Sequence, residues 1–216
     1  TIELVDVRTL KTEVIYKTEN EELRQIRSIY FDAQYNRLWL GSNSSGLLYF
    51  DVDSKKFHSL GGSQFPNQPV MSIAAINDQD LMVGVDGQGL WRIDRKTAQI
   101  KMVYKEDLDI PNSLRGNGVY DVYHDKATHR VWVSTYTGGV SYFDQATPII
   151  EQITHQVNQY NSLISNDVNS ILEDSNGNLW FATNNGISFW SVSTNRWKHF
   201  YVNEKAQAQV FLTLFE

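Results

Sequence analysis

The side chains that most often bind metals or carry out catalysis are few in this sequence and widely spaced. The chain has no cysteine and five histidines, and the histidines do not stand at the short intervals of a metal-binding motif. They are His58, His124, His129, His155 and His199. Residues 86–89 (DGQG) lack the alternating carboxylates of a calcium loop and are typical of a turn. The sequence therefore predicts no metal site, no cofactor and no catalytic residue in this segment.

One acidic turn resembles a motif of carbohydrate-active enzymes. Residues 173–180, EDSNGNLW, resemble the Asp-box hairpin of sialidases, which is a structural turn in those enzymes. Asp174, Asn176 and Gly177 are therefore interpreted as turn residues. The arginines are scattered along the chain, and no pair of carboxylates stands out as a glycosidase pair. A glycosidase or lyase stays as an alternative function.

The same turn belongs to a unit that recurs along the chain. Trp180 is matched upstream by Trp132, Met82 and Trp39, and a glycine follows each of these positions six or seven residues later. Each unit divides into four short strands separated by turn residues. A period of roughly 40 to 50 residues with four strands per unit is typical of propeller blades. The predicted fold class is all-β, a β-propeller of four-stranded antiparallel blades.

The two ends of the chain match only parts of this unit. Residues 1–17 match its third and fourth strands, and residues 209–216 match a first strand. We therefore predict about four full blades and two partial ones, as a fragment of a larger propeller for which seven blades are expected. A closed five-bladed ring is the alternative. The expected boundaries are a partial blade at 1–25, blades at about 26–67, 68–111, 112–160 and 161–203, and the start of a further blade at 204–216.

The last full unit carries a family resemblance. Residues 161–190, NSLISNDVNSILEDSNGNLWFATNNGISFW, resemble the two-component regulator propeller repeat. The matching positions are Leu163, Ser165, Val168, Ile171, Asp174, Gly177, Leu179, Trp180, Thr183 and Gly186. Phe181 and Ala182 replace the usual Ile-Gly, and the other units match less fully.

This resemblance implies a function and a location. It implies the periplasmic sensor region of a hybrid two-component system of the kind found in glycan-degrading Bacteroidetes. Such a region is not catalytic; it senses oligosaccharides and signals to a cytoplasmic histidine kinase. The expected partners are an oligosaccharide, other domains of the same sensor chain, and a second copy in a homodimer of the parent protein. A pure protein-interaction scaffold is a further alternative.

Residues that break the repeat pattern are better candidates for a ligand site than residues that maintain it. Propeller ligands usually bind on the face that carries the loops between second and third strands and the loops leading into each blade. Tyr136, in the first set of loops, is a candidate for stacking on a sugar ring. The candidates for hydrogen bonds to sugar hydroxyls are Arg115, Asn117, Asn166, Asn184 and Asn185.

The composition excludes two classes of partner. The net charge of the 216 residues is −6, and no cluster of Lys and Arg is present. Binding to nucleic acid needs such clusters, so no nucleic-acid partner is expected. No apolar run approaches the roughly 20 residues of a membrane span, so this segment is not expected to insert into a membrane.

Overall fold

Among the residues that the structure describes, the regular elements are all β-strands. The structure is a computed structural model that describes residues 2–16, 25–61, 64–145, 149–202 and 209–216. The chain forms two compact units, Thr1–Val70 and Met71–Glu216.

The first unit contains an antiparallel pair of strands and one four-stranded sheet. The pair is β1 (Ile2–Val5) and β2 (Thr12–Tyr16). The sheet runs in chain order through β3 (Ile26–Asp32), β4 (Arg37–Ser42), β5 (Leu47–Asp51) and β6 (Lys56–Ser59).

Three further four-stranded sheets follow, each a simple antiparallel meander. The first consists of β7 (Val70–Ala75), β8 (Asp80–Val85), β9 (Gly89–Asp94) and β10 (Ile100–Tyr104). The second consists of β11 (Val119–Asp125), β12 (Arg130–Thr135), β13 (Gly139–Asp144) and β14 (Glu151–Ile153). The third consists of β15 (Val168–Glu173), β16 (Leu179–Thr183), β17 (Gly186–Ser191) and β18 (Arg196–Phe200).

The core of the second unit lies between successive sheets. Met82 on β8 and Leu90 on β9 belong to one buried cluster with Val122 on β11. Trp132 on β12 belongs to the next cluster, together with Ile171 on β15. Second strands are covered on both faces, and every residue of β8 is buried. Such double coverage explains why these strands have continuous apolar runs rather than alternation.

The predicted fold class is confirmed: the structure contains four-stranded antiparallel sheets of the propeller-blade type. Trp39 and Trp132, which recur in the second strands, are buried, as expected of packing residues. The pattern of residues 149–155, IIEQITH, predicts a fourth strand, and the observed strand is shorter because only Glu151–Ile153 pair with β13. Residues 203–208, where the further blade was expected to begin, lie outside the described residues. Residues 209–216, which match a first strand in the sequence, form no strand: Gln209 makes an isolated bridge with Asn185, and Phe211 N donates to Thr183 O at 2.9 Å. The repeat boundaries and the number of blades stay predictions.

The turn between third and fourth strands has the same geometry in β1–β2 as in a full sheet. The amide of Leu10 donates to the carbonyl of Asp6 at 2.8 Å, and the amide of Ala98 donates to the carbonyl of Asp94 at 2.9 Å. Leu10 and Ala98 have φ of 55° and 60°. In both turns the aspartate carboxylate accepts the amides two and three residues ahead. The short first pair therefore has the turn of a third and fourth strand.

A single carboxylate joins the first strands of the three sheets in the second unit. Asp121 Oδ1 accepts hydrogen bonds from Ser72 Oγ at 3.0 Å and from its neighbour Val122 N at 2.8 Å. Its other oxygen accepts one from Ile171 N at 3.0 Å. Ser72, Asp121 and Ile171 lie on β7, β11 and β15, so this side chain bonds to the sheet before its own and to the sheet after it.

Within the described ranges, no helix has the length and apolar character needed to cross a membrane.

Candidate functional site

The first strands of three sheets carry an irregularity at the same place. The pairing register shifts between Ile26 and Ser28 in β3, and equivalent shifts occur near the starts of β11 and β15. Each shift leaves one residue outside the ladder of paired residues. These residues are Arg27, Tyr120 and Asn169. A bulge of this kind redirects a side chain, and bulges are over-represented beside functional sites.

In the second unit, each bulge residue contacts the first residue of the loop between second and third strands of its own sheet. The rings of Tyr120 and Tyr136 stack with centroids 5.6 Å apart and an interplanar angle of 22°. In the next sheet, Asn169 Nδ2 donates a hydrogen bond to Asn184 Oδ1 at 2.9 Å. We call these two contacts the tyrosine pair and the amide pair.

The first unit has a contact of the same kind. Arg27 Nη1 donates to Asn43 Oδ1 at 3.3 Å. The same backbone bond fixes the loop in all three sheets: Asn43 N donates to Gln25 O, and Tyr136 N and Asn184 N donate to the equivalent carbonyls. A constant backbone frame therefore presents a different side-chain pair in each sheet.

Asp167 links the loops of the tyrosine pair and the amide pair. Its Oδ1 accepts a hydrogen bond from Thr137 N at 3.1 Å, directly after Tyr136 in the chain. Its main-chain oxygen accepts one from Asn184 N, also at 3.1 Å. The two pairs thus share one anchoring residue and form neighbouring parts of one surface.

The tyrosine pair is accessible to a ligand. Tyr136 is 45% exposed, and its hydroxyl makes no hydrogen bond within the ranges that the structure describes. Tyr120 is half-buried beneath the loop. The stacked rings offer an apolar surface, and the exposed Tyr136 adds a polar hydroxyl. Sugar rings and other amphipathic ligands bind to surfaces of this kind.

Two of the predicted site residues take part in the junctions between sheets. The side-chain oxygens of Asn117 and Asn166 accept the amides of Glu106 at 2.9 Å and His155 at 2.6 Å. Their main-chain oxygens accept the amides of the glycines that begin β9 and β13, at 2.7 and 2.8 Å. Gln209 repeats both bonds after β18. We call this the carboxamide junction. A ligand role for Asn117 and Asn166 stays a prediction.

The glycine at the carboxamide junction is required by both conformation and space. Gly139 has φ of 76°, and a methyl group built on it would lie 2.5 Å from Ile153 O. Any side chain at this position would therefore separate the junction, which accounts for the glycine that recurs after the second strand of each unit.

The remaining predicted residues lie at or near the same loops. Arg115 Nε donates to Gln152 Oε1 at 2.7 Å, so its guanidinium is held against the fourth strand of its sheet. Asn184 belongs to the amide pair. Asn185 is exposed, and its amide donates to Thr183 Oγ1 at 3.0 Å. The structure thus places Tyr136 and Asn184 in contact pairs and leaves the ligand roles of all six residues as predictions.

Sequence reasoning missed Tyr120, Asn169 and Asp167. A signal for the first two was present: the second residue of the first strand differs in every unit, although its neighbours are apolar before it and serine or aspartate after it. Those two neighbours pack and hydrogen-bond between sheets, so only the position between them is free to vary.

The most strongly paired ionic groups lie away from this surface. Burial alone would raise the pKa of Asp80, but hydrogen bonds from Lys101 Nζ at 2.6 Å and from Arg92 hold that pKa below its ordinary value. Asp94, bonded to the Thr97 amide and to Lys101, has a lowered pKa as well. These groups balance one another's charge within one sheet and give no pattern of catalytic acid and base. Among the described residues, no group of three His, Asp or Glu side chains could hold a metal ion.

Comparison with known proteins agrees with the repeat pattern. Residues 162–185 match the family described as two component regulator propeller. No curated protein matches the chain.

Solved structures share the fold. The extracellular domain of a B. thetaiotaomicron protein described as a one component system is 20% identical over 99% of this chain, with a TM-score of 0.73. That of a hybrid two component system from the same organism is 17% identical over 88% of this chain, with a TM-score of 0.66. The chain spans 27% and 26% of the lengths of these two domains. The structure of U3-55K is also similar, at 12% identity over 88% of this chain and 54% of that one, with a TM-score of 0.61.

Identities this low establish a common fold and leave the ligand open. The match at 162–185 covers the acidic turn after β15, Trp180 and part of the loop that carries the amide pair. The chain therefore carries a two-component regulator propeller repeat at these residues and has the fold found in extracellular domains of B. thetaiotaomicron one-component and hybrid two-component systems.

Proposed function

We propose that this chain is a non-catalytic extracytoplasmic sensor module that binds an oligosaccharide at the tyrosine pair and the amide pair. The observation that carries the proposal is the stacked, half-exposed pair of Tyr120 and Tyr136 on a position that the repeat leaves variable. Aromatic rings contact the apolar face of a sugar, and neighbouring amides exchange hydrogen bonds with its hydroxyls. The amide pair beside the rings supplies those groups.

The cellular setting of the proposal rests on the similar structures. Both B. thetaiotaomicron neighbours are extracellular domains of signalling systems. On this basis we propose that the module lies in the periplasm. We further propose that it is part of a homodimeric sensor that signals to a cytoplasmic histidine kinase. In such a system, the ligand has to bind one arrangement of the sensor more tightly than the other in order to shift the signalling state.

Calorimetry of the purified chain against a panel of neutral and acidic oligosaccharides tests the proposal. We expect heat of binding without change in the sugar, and a loss of about tenfold in affinity in Tyr136→Ala, as expected when a stacking contact is removed. Tyr35→Ala is the matched control, because Tyr35 lies in the β3–β4 hairpin. This hairpin is at the end of its sheet opposite to the loop between the second and third strands. Cleavage products would support a carbohydrate-active enzyme instead, and no heat across the panel would support an interaction scaffold.

A further inference from the structure

The side chain of Asp86 approaches the tyrosine pair above Gly118. A methyl group built on Gly118 would lie 3.2 Å from Asp86 Oδ1, 3.3 Å from Tyr136 Cβ and 3.8 Å from Tyr120 Cε1. Three side chains from two neighbouring sheets therefore converge on one glycine. We call this feature the Gly118 cradle. Gly118 does not have a positive φ, so a side chain there is opposed by these close contacts rather than by backbone strain.

Asp86 brings an unpaired negative charge to this cradle. It lies in the loop between β8 and β9 and is partly exposed. Within the described ranges its carboxylate makes no hydrogen bond and no ion pair. Its oxygen is within about 7 Å of the Tyr120 ring, since both lie close to the same point above Gly118. Any ligand that contacts the exposed rings therefore comes near this charge.

Two cations lie near the cradle, and each is bonded to a glutamine. Lys105 Nζ donates to Gln88 Oε1 at 3.2 Å, in the same loop as Asp86. Arg115 Nε donates to Gln152 Oε1 on the fourth strand of its sheet. Asp167, a second acidic residue of this surface, accepts the amide of Thr137. Within the described ranges neither cation forms an ion pair with Asp86, so the Asp86 carboxylate keeps an unpaired charge at the cradle.

We propose that Asp86 is a specificity-determining residue that makes the tyrosine pair select neutral or amino sugars and reject sugars with acidic groups. This inference rests on the proposed function. The Asp86 carboxylate accepts hydrogen bonds from hydroxyl or ammonium groups of a unit seated on the rings. A uronate or sulfate at the same place meets a like charge a few ångströms away, which weakens binding by about tenfold even where water screens the pair.

Matched sugars test the inference. The probes are β-1,4-linked mannohexaose and the β-1,4-linked mannuronate hexamer, which differ only in oxidation at C6, together with cellohexaose and its C6-oxidised counterpart. We expect the neutral member of a pair to bind about tenfold more tightly, and this preference to shrink in 0.5 M salt because exposed charges are screened there. In Asp86→Asn, the ratio of neutral to acidic affinity is expected to fall by about tenfold.

Two variants complete the experiment. Asp78→Asn removes the same charge from an exposed position and is expected to keep the wild-type ratio. Gly118→Ala fills the cradle and is expected to weaken both members of a pair. Binding with an unchanged ratio in Asp86→Asn overturns the inference and leaves the proposed function standing. An absence of binding by all four sugars and by the wider panel overturns both.

Discussion

The hydrogen bonds of Asp121 predict that replacing one of its carboxylate oxygens strongly destabilises the protein. In Asp121→Asn, an amide nitrogen replaces one of the two carboxylate oxygens, and the side chain keeps its shape. The carboxylate accepts bonds from Ser72 and Val122 on one oxygen and from Ile171 on the other. With its NH₂ group in the place of Oδ2, the new amide leaves the Ile171 N–H without an acceptor. In the other orientation the NH₂ group faces the Val122 N–H, which then keeps only Ser72 Oγ, at 3.1 Å, as its acceptor.

The size of the effect follows from these contacts. A hydrogen bond to a charged group contributes about 1.5–3 kcal/mol, and a lost acceptor leaves the donor's desolvation uncompensated. We expect the free energy of unfolding to fall by about 2 kcal/mol. For a domain of roughly 150–250 residues this lowers the melting temperature by about 4–8 °C.

Thermal unfolding of the complete chain, followed by circular dichroism at neutral pH, measures this change. Asp78→Asn is the matched control, because Asp78 is exposed and carries the same charge. A melting temperature of Asp121→Asn within about 1 °C of that control would show that Asp121 does not join the three sheets energetically.

Three further predictions also concern stability. Burial lowers the pKa of His124, which contacts Gln145 Nε2 through its own Nε2 at 2.7 Å. The stabilising contribution of His124 is present above pH 6.5 and is lost as the pH falls through the lowered pKa. In His124→Gln, the free energy of unfolding measured in urea should therefore depend less on pH between pH 7 and 5. Asp174→Ala removes the acceptor of Trp180 Nε1, 2.9 Å away, and should cost about 1–3 kcal/mol and alter tryptophan fluorescence. Asn166→Leu should cost about 1 kcal/mol, whereas Asn166→Asp retains the acceptor and should cost less.

Contrary results for these three are equally specific. If the free energy of unfolding depends on pH identically in the wild type and in His124→Gln, then His124 does not contribute to the pH dependence of stability. A wild-type melting temperature in Asp174→Ala would show that water replaces the turn's acceptor. Equal losses in the two Asn166 variants would show that its side-chain oxygen contributes nothing at the carboxamide junction.

The strands were predictable from the sequence because each repeat has the same pattern of short apolar runs separated by turn residues. The runs DLMVGV, residues 80–85, and RVWVST, residues 130–135, predict second strands, and β8 and β12 have these same bounds. The tyrosine pair was only half predictable. Tyr136 stands in an evident loop, but Tyr120 reaches it through a bulge, and nothing in the residue types shows that the pairing register shifts there. The oxygens of Asn117 and Asn166 were likewise read as free for a ligand, because their bonds to the preceding sheet depend on how two repeats meet.

The variable pairs at the bulges bear on how such propeller repeats diversify. The bonds that hold a sheet in place come largely from the backbone and from residues on either side of the bulge, although Asn169 Nδ2 also donates to Phe211 O at 2.8 Å. Two substitutions in one repeat can then give a new chemical preference while the architecture is inherited unchanged. Duplicated copies of the repeat can therefore change this surface without first acquiring compensating mutations in the core.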